Sequence, residues 1–92
     1  MMLNYSLSAV ADLIRLRKFI AANNPENSLR VSKDIIKSIG KIESSPLIGK
    51  RLHNFTEEIR ELVIGRYIFR YLVAKNTITI LNIWHGRESK EG

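Results

Sequence analysis

The 92-residue chain contains no cysteine, which excludes disulfides and thiolate metal sites and suits a reducing cytoplasm, the expected location. Its two histidines are too few to make a structural zinc site a useful hypothesis. No apolar run approaches the roughly 18 residues of a membrane span. Met1 to Ser6 carry neither the basic region nor the apolar stretch of a signal peptide before Asp12 and Arg15 intervene. Internal repeats and low-complexity segments are lacking, as are a helix-turn-helix and a glycine-rich phosphate loop, since Gly65 and Gly86 stand isolated. Acidic residues are scarce, 9 against 15 Lys and Arg, giving net +6 and a pI near 10.0. That balance favours an acidic partner, either nucleic acid or protein. Both halves of the chain are basic, so any cationic surface must be assembled by folding.

What is present describes one domain, residues 1–92, near the small end of chains that fold alone. Such a chain buries only about 60 to 65% of its unfolded surface. Its core is thin, a partner can supply stability, and there is no room for a deep substrate cavity. Leu3 to Ser6 read as a short strand, with Ser6 or Ser8 able to cap a following helix. Ala9, Leu13, Leu16 and Ile20 recur at spacings of 4, 3 and 4 and form one helical stripe, with Arg15 and Lys18 expected opposite. Asn23 and Asn24 end that helix. Pro25 suits the first position of a second one, Asn24 its cap and Glu26 its first turn.

The second helix places Leu29, Ile35, Ile36, Ile39 and Ile42 on an apolar arc, opposite Arg30, Lys33, Lys37 and Lys41. The basic stripe reads most simply as a solvated face. Ser44, Ser45 and Pro46 stop the helix, and residues 46–57 read as a loop tacked down by Leu47, Ile48, Leu52 and Phe55. Beyond Glu58 the period changes to that of strands: Ile59 to Ile64, Tyr67 to Ala74 and Thr77 to Trp84, divided by Gly65-Arg66 and Lys75-Asn76. The expected architecture is α+β, in the order β-α-α-β-β-β. A helical hairpin covers one face of a small antiparallel sheet, with Leu13, Leu16, Ile20, Ile35, Ile36 and Ile39 packed against it.

Several segments go further than this order of elements. Pro25-Glu26-Asn27-Ser28, Ser45 to Arg51 with its Pro-x-x-Gly, Ile59 to Tyr67 with Arg-Glu-Leu-x-x-Gly-Arg-Tyr, and Trp84-His85-Gly86-Arg87 resemble the RelE/ParE superfamily of toxins from bacterial toxin-antitoxin modules. The resemblance covers nearly the whole chain. It implies a growth-inhibiting toxin domain of the plasmid-stabilisation type, neutralised by a cognate antitoxin in a hetero-oligomer, with no cofactor, no metal and no membrane partner. Two activities divide the superfamily: RelE-like members cleave messenger RNA on the ribosome, and ParE-like members poison DNA gyrase without established hydrolytic chemistry.

Metal-independent RNA cleavage needs a base, an acid and cations for the phosphate. His85 is the acid-base candidate, with Arg66, Arg70 and Arg87 as phosphate ligands and Lys50, Arg51 and His53 as further groups in the loop before the sheet. The tyrosine that RelE-like enzymes place near the C-terminus has no counterpart from His85 to Gly92. His-Gly-Arg and Gly-Arg-Tyr look more like the ParE branch. The resemblance thus implies a gyrase inhibitor whose target-binding set is Arg60, Arg66, Arg70, His85 and Arg87, with ribosome-dependent mRNA cleavage and a non-toxic basic interaction module as alternatives. Without the family resemblance, His85 at a strand end is more often a hydrogen-bonded structural residue than a catalyst, Arg60 a partner for a glutamate, and Tyr67, Phe69, Tyr71 and Trp84 packing aromatics. Arg70 alternates with Ile68 and Leu72 in an apolar strand, so its charge requires either a functional surface or an acidic partner such as Glu61.

Overall fold

The computed structural model describes residues 1–88. The chain runs β1 (Met2–Tyr5), α1 (Leu7–Asn23), a 3-10 turn (Pro25–Asn27), α2 (Ser28–Ser44), β2 (Lys50–Leu52), β3 (Glu58–Ile64), β4 (Tyr67–Ala74) and β5 (Thr77–His85). Ser6 caps α1 by accepting a 2.9 Å hydrogen bond from the Ala9 amide, and its own hydroxyl donates to the Leu81 carbonyl. That hydroxyl therefore joins the start of α1 to β5. Pro25 opens the second helical segment as expected, but as a tight 3-10 turn that receives no side-chain cap from Asn24.

The five strands form one sheet in the order β1-β5-β4-β3-β2. β2 lies inside the segment expected to be a loop, pairing antiparallel with β3 from Lys50↔Glu61 to Leu52↔Ile59. A three-residue edge strand is too short to show a periodicity, so only pairing reveals it. β1 joins β5 in parallel, Met2↔Thr77 to Tyr5↔Ile80, which makes the sheet mixed rather than wholly antiparallel. Parallel pairing needs a long crossover, and the helical hairpin supplies part of it. At the β3–β4 turn Gly65 takes φ +60°, the positive value that a two-residue hairpin of the II′ kind requires at its first position.

Between β4 and β5 the register shifts: Arg70 pairs with Asn82 but Tyr71 with Ile80, so Leu81 has no partner. This bulge resets the alternation along β5. Without it Ile78 and Ile80 would face one side and Ile83 and His85 the other. With it, Ile78, Ile80 and Ile83 all enter the core, where they meet Leu16, Ile20, Ile35, Ile39, Ile42, Phe69 and Tyr71. Leu13 packs on the rim of that cluster.

Two members of the expected apolar arc of α2 do not join it. Leu29 and Ile36 are each 69% exposed. Successive helical residues differ by about 100°, so once Ile35, Ile39 and Ile42 face the sheet, Ile36 and its heptad neighbour Leu29 fall on the flank.

The Pro-x-x-Gly segment acquires a physical reason. The Tyr71 hydroxyl donates to the Pro46 carbonyl at 2.7 Å and accepts from the Gly49 amide at 2.8 Å. A side chain at Gly49 would place its Cβ 2.7 Å from the Tyr71 hydroxyl oxygen and 3.1 Å from the Glu61 carbonyl carbon. The motif is the clasp that holds the loop after α2 on the sheet.

Candidate functional site

An open groove of about 710 Å³ lies where the C-terminal part of α1, the middle of α2, the β3–β4 turn and the end of β5 converge. Phe19, Ile20, Val31, Ile35, Ile64 and Tyr67 supply apolar lining, while Lys37, Lys41, Arg66 and Arg87 contribute four positive charges against the single carboxylate of Asp34. The strand ends meet because the Gly86 amide donates to the Arg66 carbonyl at 2.7 Å, next to the Tyr67↔His85 pair. Gly-Arg-Tyr and His-Gly-Arg, 18 residues apart in the chain, are thereby fastened side by side.

His85 forms part of the groove lining but is only 8% exposed. Its ring lies 5.3 Å from that of Phe19 and 5.1 Å from that of Tyr67, edge to face. Nδ1 accepts a 2.9 Å hydrogen bond from the Arg87 amide, so the neutral ring carries its proton on Nε2. Burial, and then the charges of Arg87 and Arg66, hold its pKa below the usual 6.5, with Glu88 opposing. The imidazole is therefore neutral at pH 7 and committed at one nitrogen. Burial likewise raises the Tyr67 phenol.

Of the expected target-binding set, the groove unites Arg66, His85 and Arg87. Arg60 is turned inward: it pairs with Glu58 at 2.7 Å and donates to the Gly49 and Leu47 carbonyls, bracing the loop after α2. Arg70 meets Glu61, directly across from it in β3, at 2.9 Å, and stacks 5.5 Å from the Trp84 ring. It alternates with Phe69 and Tyr71, which enter the core, and so occupies the face away from the helices. Lys50 and Arg51 belong to β2 and His53 follows it, with β3 and β4 between them and β5, a separation of roughly 14 Å at the usual strand spacing. They do not assemble with His85. Among the described residues no group of three His, Asp or Glu side chains could hold a metal ion, and no helix is long and apolar enough to cross a membrane.

Lys37 and Lys41 look in the sequence like any solvated helical face and Phe19 carries no local signal, yet all three line the groove; Glu88, equally silent in the sequence, accepts from the His85 amide. Arg15 lies off the packed stripe, as expected, and is exposed, but its long side chain extends past the edge of the helix to reach Glu88 and the Ile83 carbonyl.

Residues 3–90 match the family described as ParE toxin of type II toxin-antitoxin system, parDE. The chain belongs to the ParE toxin family. A solved structure described as the chromosomal ParDE TA system from P. aeruginosa superposes with a TM-score of 0.77 at 21% identity, covering 92% of this chain and 95% of that one. At that identity the likeness establishes the fold. No curated protein matches the chain by sequence. The groove is where two of the four segments that carry the resemblance, Ile59 to Tyr67 and Trp84 to Arg87, come together.

Proposed function

We propose that this ParE-family toxin inhibits DNA gyrase and that a cognate antitoxin neutralises it in a hetero-oligomer. The observation that carries the reading is the groove itself: four cationic side chains around an apolar floor, with an imidazole that is buried, neutral and tied to the main chain. That is the composition of a surface which recognises a partner. Proton transfer to and from RNA would need an acid and a base at one phosphate, and the other histidine, His53, lies beyond two intervening strands.

Arg66 and Arg87 are the proposed target contacts in the groove, with Arg70 as a contact on the opposite face and Arg60 acting through the loop it braces. The description of the solved relative as a ParDE TA system supports an antitoxin partner, and net +6 supports an acidic one, which binds faster and more salt-sensitively to a basic surface.

Purified gyrase supercoiling, run beside ribosome-dependent cleavage of messenger RNA, tests the proposal. Wild type is expected to block supercoiling or trap gyrase on cleaved DNA while leaving the RNA uncut. Cleavage of the RNA, abolished by His85→Ala with gyrase unaffected, would establish the ribonuclease instead.

A further inference from the structure

The last strand does not simply end. Glu88, three residues beyond His85, turns back and is gripped by Arg15 of α1 through two hydrogen bonds, Nε to Oε2 at 2.7 Å and Nη2 to Oε1 at 3.1 Å. This fork-on-fork geometry is the strong form of an arginine–carboxylate contact. Oε1 also accepts the His85 amide at 2.9 Å, and the Glu88 amide donates to the His85 carbonyl at 2.8 Å. Arg15 is itself held: Nη1 bonds to Asp12 and Nη2 donates to the Ile83 carbonyl at 3.0 Å. Asp12, 5% exposed, accepts the Ile83 amide at 2.9 Å. These contacts tie α1 to both ends of the segment from Ile83 to Glu88.

Gly86 and Arg87 lie inside that segment, and Arg87 lines the groove. Glycine leaves the backbone there with the widest conformational choice, so the position of Arg87 depends on an anchor beyond it as well as on the hydrogen bonds that the Gly86 and Arg87 amides donate to Arg66 and His85. From this geometry we infer that the Arg15–Glu88 fork is a latch holding the turn after β5, and that Arg15 and Glu88 are positioning residues for Arg87, whose charge also meets the acidic antitoxin in this groove. This goes beyond the gyrase reading and rests on it only through the groove's use as a binding surface.

The test uses Arg15→Met, Glu88→Gln and the double variant of the full chain, with two readouts. The first is amide exchange, which is independent of toxicity. Exchange at His85, Arg87 and Glu88 should speed by about tenfold or more in each single variant, as expected for loss of charge-assisted hydrogen bonds, with the amides of α2 and β4 unchanged. The second is affinity for the antitoxin encoded with this chain. It should fall by about tenfold in either single variant and no further in the double, because both substitutions open one latch.

Unchanged exchange in the turn would remove the latch, and faster exchange with unchanged affinity would remove its positioning role. Tighter binding by Glu88→Gln would overturn the proposal differently, by identifying Glu88 as a competitor of the acidic partner. If wild type fails to act on gyrase, the functional reading falls while the exchange arm still decides the latch. Glu88→Gln leaves the Asp12–Arg15 pair in place, so the test survives if Arg15→Met does not fold.

Discussion

His85 shows how a single side chain changes meaning once its surroundings are known. A strand-end histidine beside two arginines resembles a catalyst, yet here the ring is packed against Phe19 and Tyr67 and its pKa is held below 6.5. His85→Gln should therefore leave growth arrest within about threefold at neutral pH, whereas loss of a catalytic acid or base removes about 100- to 10,000-fold. The same burial predicts a pH dependence. The unfolded histidine titrates near 6.5 and the folded one lower, so between the two values the unfolded chain binds more protons. Stability contributed by the neutral ring is complete above about 6.5 and is lost as pH falls toward the folded pKa. Glu88 adds a second step further down, because Arg15 lowers its pKa from 4.5. Its contribution is present above 4.5 and lost as pH drops through the lowered value. Melting temperature should fall between pH 7 and pH 5, with a shallower slope in His85→Gln. Equal slopes would show that His85 is not the group responsible. At the other end of the sheet, Tyr71→Phe should cost about 1 to 3 kcal/mol in urea denaturation, since it strands the Gly49 amide without the hydroxyl that accepts from it.

At the scale of elements, the helical hairpin depends on one stripe and the meander on its turns. Leu16 is 1% exposed at the centre of the cluster, so Leu16→Ala should cost about 2 to 5 kcal/mol. Ile36→Ala, equally large on paper, should fall within about 0.5 kcal/mol because the residue is exposed. A urea titration of both variants separates a packed position from a flanking one. Gly65→Ala meets no neighbour within 4 Å, yet its φ of +60° makes the backbone itself the obstacle. It should cost about 1 to 2 kcal/mol. The α1 stripe and the three long strands were legible from period alone, and so was the Gly65 turn. β2 and the bulge at Leu81 were not, since a short edge strand and a register shift are properties of pairing. Ile36 lies outside the core for a related reason: periodicity defines an arc, and only the docking of α2 decides where its edge falls.

For the whole molecule, charge is the quantity that folding redistributes. Basic residues from α2, the β3–β4 turn and the end of β5 share one groove, although neither half of the sequence is more basic than the other. Arg66→Ala and Arg87→Ala should weaken partner binding by about 1 kcal/mol or more and flatten its salt dependence. Arg60→Ala, by contrast, should lower stability, because the guanidinium holds the Gly49 carbonyl and Glu58. Calorimetry at two salt concentrations, with a melt of each variant, distinguishes the two outcomes.

The sequence by itself determined the α+β class, the family and the identity of the motifs, because these rest on local periodicity and on residues adjacent in the chain. What the motifs do for one another was left to the tertiary structure. Gly49 serves Tyr71 from 22 residues away, Arg66 is joined to Gly86, and Arg15 reaches Glu88 across 73 positions. Such contacts leave no local trace, since a hydrogen bond or an ion pair depends on separation in space. Only packing of the helical hairpin on the twisted sheet brings those distances within range.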